Sequence, residues 1–94
     1  MNLKDLHTED KPLQTKKIFA AVEGVIAIQI KAEGQLKEHV TTVPALLVCV
    51  LGKVIFENEK GAKEILMPGD YVNIEVNVKH WVTANEDSNL VLIK

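Results

Sequence analysis

Apolar and polar positions alternate with a period of two along most of the chain after Lys16, and this alternation predicts strands rather than helices. In Val25 to Ala32 (VIAIQIKA), Ile26, Ile28 and Ile30 fall on one face and Ala27, Gln29 and Lys31 on the other. Leu36 to Thr42 alternates again, with Leu36, Glu38 and Val40 opposed to Lys37, His39 and Thr41. Ala45 to Leu51 (ALLVCVL) is apolar at every position, and its β-branched residues and the glycine that follows predict a strand buried on both faces. Further short strands are predicted over Lys16 to Val22, Val54 to Glu57, Ala62 to Met67, Tyr71 to Glu75, Lys79 to Ala84 and Leu90 to Ile93. The turns between them carry the residues that turns require: Glu23-Gly24, Glu33-Gly34, Leu51-Gly52-Lys53, Asn58 to Gly61 and Pro68-Gly69-Asp70.

Eight or nine short strands with turns every 8 to 12 residues are the pattern of an all-β sandwich or barrel, and nothing in the chain suggests the strand–helix alternation of a parallel α/β sheet. Residues 1 to 15 break the pattern. They are polar apart from Leu3, Leu6 and Leu13, and Pro12 limits any helix to about one turn, so they are expected to form an arm ahead of a barrel at residues 16 to 94. Exposed, the segment ALLVCVLGKVIF would invite aggregation, so it must be covered inside the barrel or at a subunit interface.

Composition narrows the function. The chain has 94 residues, room for one domain and one core, and 47% of them are hydrophobic. Its formal net charge is -2, and all 11 basic residues are lysines. No cluster of positive charge is present to displace counterions from a phosphate backbone, so nucleic acid is not an expected partner. Without arginine there is no bidentate fork for phosphate or carboxylate. Cys49 is the only cysteine, which excludes an intrachain disulfide. The first residues have no apolar signal region, and the run from Val43 to Leu51 is well short of the roughly 20 residues that span a bilayer, so the expectation is a cytoplasmic protein with no membrane partner.

The candidate chemistry sits on two predicted strands. By simple alternation Lys37, His39 and Thr41 share a face, while His80 lies some forty residues later, where only the fold can bring it close. Cys49, in an apolar strand, is expected to be a small buried hydrophobe, since burial raises a thiol pKa away from reactivity. Trp81 should point away from His80 and serve packing. Three readings are open for His39 and His80: satisfied pocket-lining side chains, a partial metal site, or direct contact with a ligand.

The spacing of these residues resembles the cupins in their smallest, single-domain form. The first cupin motif runs glycine, five residues, histidine, one residue, histidine, three or four residues, glutamate, six residues, glycine. Gly34 stands one residue closer than usual to His39, Thr41 takes the second histidine position, Ala45 the glutamate position and Gly52 the closing glycine. In the second motif Gly69 and His80 match, while Glu75, Asn77 and Ala84 replace a proline, a glycine and an asparagine.

The resemblance implies a jelly-roll barrel, a double-stranded β-helix, that is often a homodimer and has a pocket inside. It places His39, His80, Thr41 and Lys37 in that pocket and assigns His39 and His80 to two of the family's four metal-ligand positions. A divalent metal such as Fe, Mn, Ni or Zn would then be held by two neutral imidazoles with no carboxylate, a poor set for a catalytic ion. Glu75 is a carboxylate that could in principle swing in, although nothing in the sequence places it there. The expected function is therefore a pocket for an unidentified small molecule without the complete metal site. The alternative is a metal-dependent enzyme of oxygenase or isomerase type on a reduced His39/His80 site.

Overall fold

The computed structural model describes all residues, 1 to 94, and its first sheet strand begins at Val25, directly after Gly24. Eight strands follow: β1 (Val25–Ile30), β2 (Gln35–His39), β3 (Ala45–Leu51), β4 (Val54–Asn58), β5 (Lys63–Leu66), β6 (Tyr71–Ile74), β7 (His80–Ala84) and β8 (Ser88–Ile93). They form two four-stranded antiparallel sheets, in the orders β1-β8-β3-β6 and β2-β7-β4-β5. Consecutive strands largely alternate between the sheets, the winding of a jelly roll.

The inward positions of both sheets meet in one core. Ala45, Leu47 and Cys49 of β3 pack with Val54 and Phe56 of β4, Leu66, Val72, Ile74, Val82, Ala84 and Leu90. Full burial of each large apolar side chain in this set contributes about 2 kcal/mol. Cys49 lies inside it, with its thiol directed to the Leu51 carbonyl, and burial raises its pKa. It is a core residue, in keeping with its apolar surroundings.

The second face of β3 behaves differently along its length. Leu46 is fully buried although alternation puts it opposite Ala45 and Leu47, whereas Val50 and Leu51 are 47% and 59% exposed. Burial on both faces therefore holds for the first half of the strand only.

Residues 1 to 24 are pinned at two places. Near the start, Tyr71 N–H donates to the Met1 carbonyl and Leu3 N–H to the Gly69 carbonyl, and Asn2 Nδ2 donates to Asp70 at 2.8 Å. Asn2 also caps a single 3-10 turn, Leu3–Leu6, by accepting from Lys4 N–H. At the far end the N–H groups of Val22, Glu23 and Gly24 all donate to the Lys94 carbonyl. No ladder forms over Lys16 to Val22, where a strand is expected from sequence: one carbonyl takes three donors, and the segment turns into β1 instead of pairing. Ile18 and Phe19 in this stretch are half-buried.

Candidate functional site

His39 ends β2 and His80 begins β7, and the two are cross-strand partners at one end of the second sheet. Leu36 pairs with Val82 and His39 with His80, so three steps along β2 match two along β7. This β-bulge corrects the face assignment drawn from simple alternation. Leu36 packs against the core and His39 meets inward-facing His80, although they lie an odd number of residues apart. Lys37, expected beside His39, is exposed and its ammonium has no partner.

The two imidazole rings are 4.2 Å apart between centroids and tilted by 58°. His80 is 3% exposed and stacks at 5.9 Å on Phe56, while His39 is exposed above it. Each ring makes the same local bond. His39 Nδ1 lies 2.8 Å from the Lys37 carbonyl and His80 Nδ1 lies 3.2 Å from the Val78 carbonyl. A carbonyl can only accept, so both Nδ1 atoms carry the proton and both Nε2 atoms present lone pairs when the rings are neutral. Burial of His80 lowers its pKa, outweighing the opposing hydrogen bond to the Val78 carbonyl, and the neighbouring His39 adds a lesser lowering. His80 is thus held neutral near pH 7.

No protein group bonds either Nε2. No buried side-chain nitrogen or oxygen in the chain is both sealed from solvent and unpaired, so the free nitrogen of His80 keeps some contact with solvent although the residue is 3% exposed.

The other expected site residues are committed elsewhere. The Thr41 hydroxyl donates to the Val43 carbonyl at 2.7 Å, and the Thr41 carbonyl accepts from Asn77 N–H, so this residue fastens the β2–β3 connection to the turn before β7. Ala45 is 1% exposed and contributes a methyl group to the core. Glu75 is on the surface, ion-paired to Lys60 at 2.7 Å. No group of three or more His, Cys, Asp or Glu side chains is arranged to hold a metal ion. The donor set is two imidazoles with no carboxylate and no third ligand, which does not fit a resident divalent metal of the expected kind.

A pocket inside the barrel was also expected, but the interior is filled by the core described above. The one cavity of note, about 340 Å³, is an open one lined by residues 6 to 16, among them Leu6, His7, Glu9 and Lys16. The histidines stand at a mouth rather than around a chamber.

Two motif positions, one substituted and one retained, keep their backbone role. Asn77, where the cupin motif has glycine, has φ = 59°, a left-handed conformation that asparagine tolerates better than most residues. Gly52, the closing glycine, has φ = 88°, and a Cβ there would collide with the Ser88 hydroxyl and the Asp87 carbonyl and lie 2.7 Å from Ser88 Cα. Trp81 faces away from the mouth, as expected, and donates from Nε1 to Glu57 at 3.0 Å.

No family model and no curated protein matches the chain. Solved structures do. A cupin superfamily protein from Desulfitobacterium hafniense is 14% identical with a TM-score of 0.70, covering 100% of this chain and 87% of that one. The cupin domain of Drosophila melanogaster CENP-C is 19% identical with a TM-score of 0.69, covering 76% of this chain and 56% of that one. The iron(II) form of HppE is 14% identical with a TM-score of 0.64, covering 73% of this chain and 40% of that one. The chain spans less than two thirds of the length of the last two. At these identities the likeness is one of fold: the chain has the cupin fold.

Proposed function

We propose that the chain is a binding module that takes a small molecule at the barrel mouth, on His39 and His80, without a complete metal site. The observation that carries this reading is the free Nε2 of His80: a polar atom of a buried, neutral ring, not sealed from solvent and claimed by no protein group. With Nδ1 of both rings donating to backbone carbonyls, the pair offers two acceptors side by side. A fitting ligand presents hydroxyl or amine donors, as a polyol or an amino compound does. His80 supplies the fixed acceptor, seated on Phe56, and His39 the exposed one that closes over it.

The test is a ligand screen read by the imidazole nitrogens. In nitrogen-15 histidine spectra of the full chain, a polyol or amino compound that binds shifts the Nε2 resonances of His39 and His80 and leaves Nδ1 nearly unmoved. Binders that leave both Nε2 signals in place, or binding undiminished in a His80→Phe variant, would contradict the reading.

The second reading, a metal-dependent enzyme on the His39/His80 pair, draws its support from the iron(II) HppE likeness. The donor set argues against it, since Thr41 and Ala45 offer neither imidazole nor carboxylate and Glu75 is held by Lys60.

A further inference from the structure

The two sheets turn different outer faces to their surroundings. On the first sheet the outward-pointing Leu46 and Tyr71 are 0% and 7% exposed, so that face is covered. On the second, Val54, Phe56, Leu66, Val82 and Ala84 point into the core. The positions between them, Ile55, Glu57, Ile65, Trp81 and Thr83, therefore point outward, and Lys63 joins them. This face is open: Lys63 and Ile65 are exposed, and none of the others is fully buried.

The strand register sets these side chains in two rows across β7, β4 and β5. One row is Trp81, Glu57 and Lys63, and the other is Thr83, Ile55 and Ile65. Three strands span about 10 Å, enough for a disaccharide. The chain's single tryptophan thus lies on an open face rather than in the core. Its Nε1 donates to Glu57 Oε2 at 3.0 Å, which holds the indole against the neighbouring strand. With the N–H in use, what the ring has left to offer is its π face. No aromatic ring stacks on it and no lysine ammonium sits over it, since the ring contacts of the chain are those of His80 with His39 and Phe56. Polar groups of both kinds stand beside it. The Lys63 ammonium belongs to none of the four ion pairs, Glu57 uses one oxygen on Trp81 and keeps the other, and the Thr83 hydroxyl can donate and accept.

We propose that this face is a saccharide-binding platform, on which a neutral pyranose ring stacks its C–H face on Trp81 and sets its hydroxyls against Lys63, Glu57 and Thr83. A sugar ring has an apolar face whose C–H bonds carry partial positive charge, the match for the negative π face of an indole. Its rim hydroxyls both donate and accept, as the groups around Trp81 do. Two other occupants fit less well. The centre of a protein interface is depleted of charge, and here Glu57 and Lys63 share the row of the tryptophan. An organic cation is held by a cage of aromatic rings, and Trp81 stands alone: Phe56 is in the core, Tyr71 is buried on the first sheet and Phe19 is in the arm. The platform is on the opposite face of the sheet from His80, so it does not depend on the reading given for the mouth.

Because Trp81 is the only tryptophan, its fluorescence reports the platform directly. The full chain is titrated with cellobiose, maltose and lactose, and also with sorbitol, a polyol without a ring, and tetramethylammonium, a cation without hydroxyls. At least one disaccharide is expected to give a saturating change in emission, and sorbitol and tetramethylammonium none. By calorimetry with that disaccharide, Trp81→Ala weakens binding by about tenfold or more and Lys63→Ala by about threefold or more. Lys63 is exposed on the edge strand β5, so Lys63→Ala keeps the fold and reads the proposal even where Trp81→Ala does not fold. A panel in which no disaccharide saturates, a response matched by sorbitol or tetramethylammonium, or binding undiminished in either variant would each overturn the proposal.

Discussion

The turn at Gly52 and the segment from His39 to Ala45 belong to the same motif, and they have opposite fates in this chain. At Gly52 the glycine is kept and is irreplaceable on steric grounds: its φ is 88° and the Ser88 backbone and hydroxyl and the Asp87 carbonyl fill the space a Cβ would need. Between His39 and Ala45 the positions that would carry metal chemistry hold a threonine that binds backbone and an alanine that packs in the core. One region shows what the barrel needs in order to close. The other shows that it closes without the ligand set, because a hydroxyl can fasten two loops and a methyl can fill a wall where imidazole and carboxylate would otherwise stand.

The largest effect expected from this contrast is at the turn. Gly52→Ala should destabilise the fold by about 3 kcal/mol or more, combining left-handed strain with a backbone collision, as read by urea denaturation. If the variant unfolds at the parent's midpoint, the turn is not the closing device.

Next comes the attempt to write the chemistry back. Ala45→Glu places a carboxylate at a position 1% exposed and should cost about 3 kcal/mol at neutral pH. Adding Thr41→His should make that loss recoverable by Ni or Zn, seen as a metal-dependent rise in Tm that the parent lacks. A Thr41→His/Ala45→Glu chain insensitive to metal would show that His39 and His80 are not placed as the motif suggests.

A smaller effect separates backbone from chemistry at Asn77. Asn77→Ala should cost about 1 kcal/mol through its positive φ, while Asn77→Gly should stay near the parent or above it, both by the same denaturation assay. Equal losses for the two would point to the asparagine side chain instead.

The smallest expected effect is the pH dependence of His80. Its folded pKa is depressed below the ordinary histidine value of about 6.5, so the folded state binds the proton less well than the unfolded one. The contribution is present above about pH 6.5 and is lost as pH falls through the depressed folded value. Thermal melts between pH 5 and 8 should show Tm falling on acidification, less steeply in His80→Phe. Asp70 works in the same direction at lower pH. Its carboxylate, held down by the Met67 N–H at 2.8 Å and by Asn2, loses its contribution only as pH drops below the usual carboxylate range.

Much of the barrel was legible in the chain. The period-two runs place seven of the eight strands within two residues of their observed bounds, and the glycine turns separate them; β2 is the exception, ending at His39 where the alternation runs on to Thr42, and β8 starts two residues earlier than expected, at Ser88, whose hydroxyl accepts from Lys53 N–H. What the pattern could not show is pairing. Lys16 to Val22 reads as a strand, but a strand needs a ladder, and the donors nearest it converge on the single carbonyl of Lys94. The bulge in β2 was equally hidden, because nothing in the QLKEH sequence marks the extra residue that turns His39 inward and leaves Lys37 in solvent. The meeting of His39 with His80 came from motif spacing, as did the glycine position that Asn77 fills with φ > 0. The filled interior was not foreseen, although Phe56 and the apolar face of β3 carry the bulk that fills it.

The most direct test of the account is metal analysis of untagged protein, with His39→Ala/His80→Ala as its partner. The account predicts far less than one equivalent of Fe, Mn, Ni or Zn in the parent, and no change in metal content in the double variant. A stoichiometric metal in the parent that disappears from the double variant would contradict it.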